Sequence, residues 1–234
     1  MEGRSPEVVS NRIHETGFFE RGLTSLVIRY LKPGMVFYDI GAHFGYFSLL
    51  ASHLVGARGE VHAFEPTPGT YEILKRNTGA KKNVTAVRTA FWSSAKELSF
   101  HDYGEAYSAF NSFFGPRLAH EVASGLRPSE HKIQARTVDD YVSRQKRNPD
   151  FIKIDAESSE YEILCGMQKT LAKVRPMISL EVGDQKIEGV GTSREIIESI
   201  LAKDYHAVEF DNGKIADHVL KTHYTYDNLL FLPQ

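Results

Sequence analysis

The chain has 234 residues, of which 41% are hydrophobic, so it can bury a sizeable core in one or two domains. Its formal net charge of −2, from 28 Lys and Arg against 30 Asp and Glu, gives no bulk attraction to nucleic acid or anionic membranes. The lone cysteine, Cys165, excludes an intrachain disulfide and a zinc site built from several cysteines. Because the sequence shows no signal peptide and no apolar run of spanning length, we expect a cytoplasmic protein with no membrane span and no nucleic-acid partner.

The first predicted elements are a helix from Phe18 to Leu31 and a strand from Met35 to Ile40. We therefore expect an N-terminal helical segment, residues 1–34, packed on a core domain of residues 35–234. The strand breaks at Gly41, and a helix opens near Gly45, because apolar residues then recur at helical spacing. These residues are Phe44, Phe47, Leu50 and Leu54.

A second predicted strand, Val61 to Phe64, ends in Glu65 and Pro66. Glu65 lies about twenty residues beyond Gly45, the spacing at which an acid reaches the hydroxyls of an adenosine ribose. Pro66 keeps Glu65 extended, so the carboxylate projects from the strand end. The glycine turn and the acid together predict a site for an adenosine-containing cofactor.

The charge of the glycine turn indicates which cofactor that is. The turn reads G-x-x-x-G and lacks the third glycine with which dinucleotide sites accommodate a pyrophosphate. Asp39 would repel a pyrophosphate but can pair with an ammonium group. S-adenosylmethionine has an amino-acid tail and no phosphate, so the electrostatics favour it.

The rest of the chain alternates strands and helices, which predicts an α/β fold with a mostly parallel sheet covered on both faces. A helix containing Tyr71 and Leu74 and a strand from Val84 to Val87 come first. The later predicted elements are antiparallel strands Glu97 to His101 and Lys132 to Arg136, strand Phe151 to Asp155, helix Tyr161 to Leu171, strand Met177 to Glu181, helix Ser193 to Leu201, and a closing hairpin of Ala207 to Phe210 with Asn228 to Leu232.

Five motifs, in order from about Met35 to the C-terminus, resemble the FkbM family of S-adenosylmethionine-dependent methyltransferases. They are Asp39-Ile40-Gly41-Ala42-His43-Phe44-Gly45-Tyr46-Phe47-Ser48, Val61-His62-Ala63-Phe64-Glu65-Pro66, Thr137-Val138-Asp139-Asp140-Tyr141, Ile152-Lys153-Ile154-Asp155-Ala156-Glu157-Ser158-Ser159-Glu160 and Asp227-Asn228-Leu229-Leu230-Phe231. The resemblance implies a class I (Rossmann-like) methyltransferase fold with a seven-stranded sheet and an antiparallel C-terminal hairpin. It also implies O-methylation of a small-molecule or glycan acceptor, at a hydroxyl of a sugar, glycan, glycolipid or natural product.

The resemblance also implies where S-adenosylmethionine is held. Asp39, Gly41 and Gly45 would contact its methionine end, Glu65 its ribose, and the edge around Thr89 to Phe91 its adenine. The full set of expected cofactor-binding residues is Asp39, Gly41, Ala42, His43, Gly45, Glu65, Pro66, Thr89, Ala90, Phe91 and Asp155.

Asp155 and Glu157 are the expected catalytic residues, because Asp155 ends a strand at the mouth of the sheet. An acceptor hydroxyl must lose a proton, and a positioned carboxylate could accept it. Asp155, Glu157 and Glu181 could instead hold a divalent metal, which we do not expect. Alternatively, the acids of this segment could have no role in catalysis and simply complement the dipole of a helix N-terminus, since residues 159–162 fit a capping box. Ser158 departs from the family pattern, which usually has glycine there.

The segment from His101 to His131 is longer than an ordinary connection, so we expect a lid or an acceptor-binding insert. Its aromatic residues could stack on an acceptor or only fill the core. His120, within it, is an alternative catalytic base.

Two other functions remain open from the sequence. A nicotinamide-dependent dehydrogenase would also begin with a strand and a glycine turn, and Tyr71 and Lys75 match the spacing of its catalytic pair. These two lie just after Glu65, where a hydride-transfer tyrosine is not expected. The other alternative is a module that binds S-adenosylmethionine without chemistry. The residues do not determine the acceptor or the oligomeric state.

Overall fold

The structure is a computed structural model that describes residues 8–104, 107–108, 111–114, 127–184 and 191–234. In chain order its first half contains α1 (Val8–Thr16), α2 (Arg21–Tyr30), β1 (Val36–Ile40), α3 (Tyr46–Val55), β2 (Glu60–Phe64), α4 (Pro68–Thr78), β3 (Val84–Val87), β4 (Ala90–Phe91) and β5 (Lys96–Asp102). Its second half contains β6 (Ser129–Arg136), α5 (Val138–Ser143), β7 (Phe151–Ile154), α6 (Glu160–Cys165), β8 (Met177–Val182), α7 (Ser193–Leu201), β9 (Tyr205–Asp211), β10 (Lys214–Asp217) and β11 (Asp227–Pro233).

The described strands form a central sheet in the order β10-β9-β11-β8-β7-β1-β2-β3. Strands β8, β7, β1, β2 and β3 are parallel, whereas β11 is antiparallel to both β8 and β9. The chain winds from β1 towards β3 and then returns to β7 on the other side of β1. The carboxyl ends of β1 and β7 therefore form the switch point at which open α/β sheets bind ligands.

The predicted C-terminal strands pair as expected, with Leu230 of β11 opposite Val208 of β9. The short strand β10 was not predicted, and it adds an edge strand to the seven that we expected. It joins β9 through Asn212 and Gly213, which both have positive φ. Consecutive residues of this kind make the tight turn that suits the twist of a two-stranded hairpin.

Alternation of side chains along β1 divides the core into two layers. Val36, Tyr38 and Ile40 face one cluster, which contains side chains of α5, α6 and α7. Phe37 faces the other cluster, which contains Leu23 and other side chains of α2 and α3. The face of β1 that carries Phe37 is thus covered by α2 and α3, the helices that precede and follow β1 in the sequence. Asp39 lies on this covered face, which is where a charged residue is least expected.

Two predicted helices differ from the observed ones. The first begins at Arg21 and not at Phe18, because Glu20, the residue before the helix, has a left-handed φ of 44°. The predicted helix Tyr161 to Leu171 is interrupted at Gly166, where the carbonyl of Trp92 approaches so closely that a Cβ would lie 2.1 Å from its oxygen. A π-helical turn, Thr170–Val174, follows this break.

The antiparallel pair predicted from residues 97–101 and 132–136 is confirmed as β5 and β6, which form a second, three-stranded sheet with β4. This pair frames the expected insert of residues 101–131, much of which lies outside the described residues. Among the helices of the described residues, none combines the length and the apolar character that crossing a bilayer requires.

Candidate active site

A cavity of about 650 Å³ lies at the carboxyl ends of the parallel strands. Its wall combines the turn after β1, the end of β2, the segment before β4, the turn after β7 and the end of β8. Residues of α1, of the segment before α2 and of the segment before β11 complete it. The cavity therefore occupies the switch point of the sheet and is roofed by elements from both ends of the chain.

Most of the expected cofactor-binding residues line this cavity. They are Gly41, Ala42, His43, Glu65, Pro66, Thr89, Ala90, Phe91 and Asp155. Asp39 is instead fully buried behind the wall, and Gly45 starts α3 next to the side chain of Leu74. Asp155 and Glu157, the expected catalytic residues, line the cavity, and so does Glu181. His120 lies outside the described residues.

Gly41 lets the turn after β1 approach the turn after β7. Its φ is +75°, and a Cβ at this position would lie 1.7 Å from the backbone oxygen of Asp155. The backbone amides of Gly41 and Ala42 both donate to the carbonyl of Phe64, at 3.1 and 2.9 Å. The turn is thereby fixed to β2 as well. Only glycine satisfies both the positive φ and the close approach.

Glu65 is buried against the same turn, and its two oxygens accept different backbone amides. Oε2 accepts from His43, at 3.1 Å, and Oε1 accepts from Thr67, at 2.9 Å. Burial raises the pKa of Glu65 to about 7, against the effect of these hydrogen bonds. Since a carboxylate oxygen has two lone pairs, each oxygen can still accept a further hydrogen bond from a ligand hydroxyl.

The sequence interpretation missed Lys153, which is fully buried beneath the cavity. It lies opposite Asp39 in the pairing of β1 with β7, and its Nζ is 3.3 Å from Asp39 Oδ1 and 3.2 Å from Asp155 Oδ2. Nζ also donates to the carbonyl of Gly41. Burial alone would lower the pKa of Lys153, but Asp155 and Asp39 together raise it, so the ammonium form is favoured. The signal in the sequence was a lysine inside the apolar run of β7.

Asp155, Glu157 and Glu181 come together as a group of three carboxylates, with one oxygen of each within 4.8 Å of the others. Oxygen ligands at this spacing could hold a divalent cation. Lys153 already supplies a positive charge to Asp155, however, and we assign no metal to this group. What the arrangement can do without a metal is accept a proton or a cationic ligand.

The turn after β7 keeps the backbone shape that glycine would take, despite Ser158. Glu157 and Ser158 have φ values of 47° and 77°, both in the left-handed region. Such conformations cost free energy for residues with a Cβ and are retained where the surroundings enforce them. The prediction of a capping box at residues 159–162 is wrong, because the hydroxyl of Ser159 accepts no hydrogen bond from the backbone at the start of α6.

Glu20 and Tyr226 are two further cavity residues that the sequence did not indicate. The hydroxyl of Tyr226 donates to Glu20 Oε1. Burial, and next the charge of Asp155, raise the pKa of Glu20 to about 7. The two residues are 206 positions apart, so no local pattern could have placed them together.

The insert contributes aromatic side chains both to the core and to the cavity. Phe113 lines the cavity and also packs against Trp92, with ring centroids 5.2 Å apart. Trp92 is itself buried in a core cluster, so this contact joins the insert to the core. Tyr71 and Lys75 are not among the described residues that line the cavity, which removes the geometric basis for a dehydrogenase pair.

Comparison with known proteins places this cavity in a family context. The family model described as the methyltransferase FkbM domain matches residues 39–208. Hexuronic acid methyltransferase AglP of Haloferax volcanii is 26% identical over 163 residues, which cover 68% of this chain and 61% of AglP. The 31-O-demethyl-FK506 methyltransferase FkbM of Streptomyces tacrolimicus is 28% identical over 160 residues, which cover 59% of this chain and 61% of that protein. The chain thus spans about three fifths of the length of either relative.

Among solved structures, the methyltransferase FkbM from Methylobacillus flagellatus KT is similar, with a TM-score of 0.52 and 15% identity. The match covers 94% of this chain and 52% of that protein. At this identity the likeness is one of fold. It shows that the sheet described above is that of a class I methyltransferase.

Replacing Gly41 by alanine should destabilise the protein far more than the same change at Gly34. Both positions have positive φ, but a Cβ on Gly34 meets no atom within 4 Å. Gly34→Ala should therefore cost only the left-handed strain, about 1–2 kcal/mol. Gly41→Ala should add a clash with the backbone of Asp155. Urea unfolding of both variants measures the difference, and equal losses would contradict the close approach.

Replacing Lys153 by methionine should lower the free energy of unfolding by about 3–5 kcal/mol, because it leaves Asp39 buried without its cation. Adding Asp39→Asn should recover part of that loss, since the uncompensated charge is then gone. Lys132→Met is the matched control, because Lys132 pairs with Glu130 at the surface and should contribute less than about 1 kcal/mol. Urea unfolding at pH 7 gives all three values. If Lys153→Met lowers the free energy of unfolding as little as Lys132→Met does, Lys153 does not form a stabilising ion pair.

Proposed function

The chain belongs to the FkbM methyltransferase domain family, and from that premise we propose that it is an S-adenosylmethionine-dependent methyltransferase acting on a hydroxyl oxygen. The observation that carries this proposal is the cavity at the switch point, where Gly41 and Glu65 occupy one wall and Asp155 the floor. The acceptor that we propose is a sugar, glycan, glycolipid or natural product.

The residues present fit the proposed donor. Glu65 would accept hydrogen bonds from the ribose hydroxyls, and the edge formed by Thr89, Ala90 and Phe91 would lie along the adenine. The amino-acid arm would lie over Gly41. Asp39 is fully buried behind the wall, whereas Asp155 lines the cavity. We therefore propose that Asp155 pairs with the ammonium group of the donor directly, and that Asp39 acts on the donor through Lys153, which contacts both carboxylates.

When bound, the donor supplies an electrophilic methyl group attached to a sulfonium. The protein must orient the acceptor, exclude water and remove the acceptor proton. Phe18, Phe19, Phe100 and Phe113 give the cavity an apolar wall that limits water. The carboxylates of Asp155 and Glu157 are in the cavity and can hold a hydroxyl in line. The turn after β7 would thus orient the acceptor and contact the ammonium group of the donor, and the ends of β1 and β2 would bind the rest of the donor.

The acceptor class rests on the relatives. One is named for hexuronic acid and the other for a demethylated FK506, so one acts on a sugar acid and the other on a natural product. The second name refers to an O-demethylated compound, which is compatible with methyl transfer to an oxygen. The cavity of about 650 Å³ is of the size that holds a cofactor together with part of an acceptor.

Calorimetry with S-adenosylmethionine, S-adenosylhomocysteine and NAD⁺ should show binding of the first two alone. At a hundredfold excess over its dissociation constant, either should stabilise the fold by about 2.7 kcal/mol. That corresponds to a rise in unfolding midpoint of roughly 5–11 °C for a chain of this length. Methyl transfer from labelled donor to hexuronic acids and polyhydroxylated acceptors then tests the reaction. Binding of NAD⁺ alone would overturn the proposal, and donor binding without transfer to any acceptor would favour a non-catalytic module.

Binding of S-adenosylhomocysteine should weaken by roughly tenfold from pH 8 to pH 6, because Glu65 must ionise to accept two ribose hydroxyls. Burial raises the pKa of Glu65 to about 7, so the free protein holds this proton at pH 6 and must release it on binding. The same raised pKa means that the stability contributed by the protonated form is lost as the pH rises through about 7.

Calorimetry in two buffers of different ionisation enthalpy counts the released proton. Glu65→Gln should weaken binding at pH 8 and remove its dependence on pH. Glu72→Gln, on an exposed face of α4, is the matched control and should change neither quantity. A Glu65→Gln variant that binds as tightly as the parent would remove the ribose role.

A further inference from the structure

Glu20 occupies a position in the cavity that the family match does not include. It precedes α2, outside the matched residues 39–208, and it lines the same cavity as Asp155 and Glu157. Its backbone has a left-handed φ of 44°, an uncommon conformation for a residue with a Cβ. Such conformations persist where the surrounding structure enforces them, and they concentrate at functional sites.

The carboxylate of Glu20 is held at one oxygen only. Oε1 accepts the hydroxyl of Tyr226, whereas Oε2 is buried and accepts no hydrogen bond from the described part of the chain. A buried acceptor without a donor is unfavourable, so a ligand that donates to Oε2 would relieve this cost. A hydroxyl of an acceptor has the required chemistry.

Glu20 differs from Asp155 in how its charge is balanced. Asp155 contacts the ammonium of Lys153 at 3.2 Å. Glu20 has no such ion pair with any described residue. Burial and the neighbouring charge of Asp155 raise its pKa to about 7, with Tyr226 and Lys153 acting in the opposite direction. A general base works best when its pKa lies near the operating pH, so Glu20 suits proton transfer and Asp155 suits orientation.

We propose that Glu20 is a catalytic residue of this methyltransferase, whose Oε2 accepts the proton of the acceptor hydroxyl during transfer. The inference rests on the function proposed above. As the O–H bond breaks, the hydroxyl oxygen forms a bond with the methyl carbon, and the carbon–sulfur bond of the donor breaks with its electron pair left on sulfur. The products are a methyl ether, a neutral thioether and protonated Glu20, which returns its proton to water.

Three probes separate the parts of the donor that Glu20 could contact, without requiring the acceptor. Methylthioadenosine lacks the amino-acid arm, S-adenosylhomocysteine has it, and sinefungin carries in addition an amine where the methyl group and sulfonium would be. If Glu20 lies at the point of transfer, its carboxylate should bind that amine. Charge-assisted hydrogen bonds of this kind stabilise a complex by about 1.5–3 kcal/mol, which is about tenfold or more in affinity.

Glu20→Gln should therefore weaken the binding of sinefungin by about tenfold or more, and should change the affinities for the other two probes by no more than about twofold. Glutamine keeps the size of the side chain and still accepts from Tyr226, so unchanged binding of S-adenosylhomocysteine also verifies the fold. The same change at Glu15, an exposed residue of α1, is the matched control and should alter no affinity.

The preference for sinefungin over S-adenosylhomocysteine should rise as the pH increases through about 7, because Glu20 then becomes charged. The ratio of the two affinities cancels the ionisation of Glu65, which both ligands contact equally. The charged or titratable groups that act on Glu20 are Asp39 of β1, Lys153 of β7, Asp155 after β7 and Tyr226 before β11. Glu181 of β8 acts on Tyr226, and Arg12 and Arg21 line the same cavity. Glu20→Gln should flatten the profile. Tyr226→Phe should move its midpoint to higher pH, because the hydroxyl of Tyr226 lowers the pKa of Glu20 and its removal lets that pKa rise.

Each remaining outcome overturns a different statement. An unchanged sinefungin preference in Glu20→Gln would show that Glu20 is not at the point of transfer. A loss of S-adenosylhomocysteine affinity with methylthioadenosine unaffected would show that Glu20 binds the amino-acid arm, which also refutes a role as base. If the parent protein binds none of the three probes, the proposed function falls first, and the inference falls with it.

Discussion

The buried ammonium of Lys153 is the interaction on which the cavity depends. It joins Asp39 in the middle of the sheet to Asp155 at its mouth, and it also binds the carbonyl of Gly41. One cation therefore fixes the adjacent ends of β1 and β7, which are the two strands that define the switch point. Burying a lysine is costly unless its partners are in place. The turn after β1 and the carboxylate of Asp155 are consequently positioned as one unit.

Negative charge in and beneath the cavity exceeds the positive charge of Lys153, Arg12 and Arg21 among the described residues. The acidic side chains there are Glu20, Asp39, Glu65, Asp155, Glu157 and Glu181. Such a field favours a positively charged donor over a neutral product. It also disfavours ionisation of every carboxylate at once, and this repulsion adds to burial, which is the main cause that raises the pKa of Glu20 to about 7. The same excess of negative charge would support both the donor binding and the proton transfer proposed above.

Features that depend on local spacing could be predicted from the sequence. The glycine turn, the position of Glu65 and the strand end at Asp155 follow from period and turn chemistry, and they do line the cavity. Lys153 was missed because a single charge in an apolar run reveals no partner until β1 and β7 are paired. Glu20 and Tyr226 could not be found at all, since their contact joins residues near opposite ends of the chain. Asp39 was expected to contact the donor because of its charge and the family resemblance, and its pairing with the lysine opposite it could not be foreseen from the sequence.

The roof and the floor of the cavity have different origins, and this division bears on acceptor choice. The floor lies within the family-matched residues and is held by strand pairing and by Lys153. The roof comes from α1, the segment before α2, the insert and the segment before β11, so it contributes Arg12, Glu20, Phe113 and Tyr226. Relatives at 26–28% identity carry names for a hexuronic acid and for a demethylated FK506. Arg12, Glu20 and Tyr226 of the roof lie outside the family-matched residues 39–208, whereas Phe113 lies within them. The proton acceptor proposed above therefore belongs to the part of the cavity that the family model does not include.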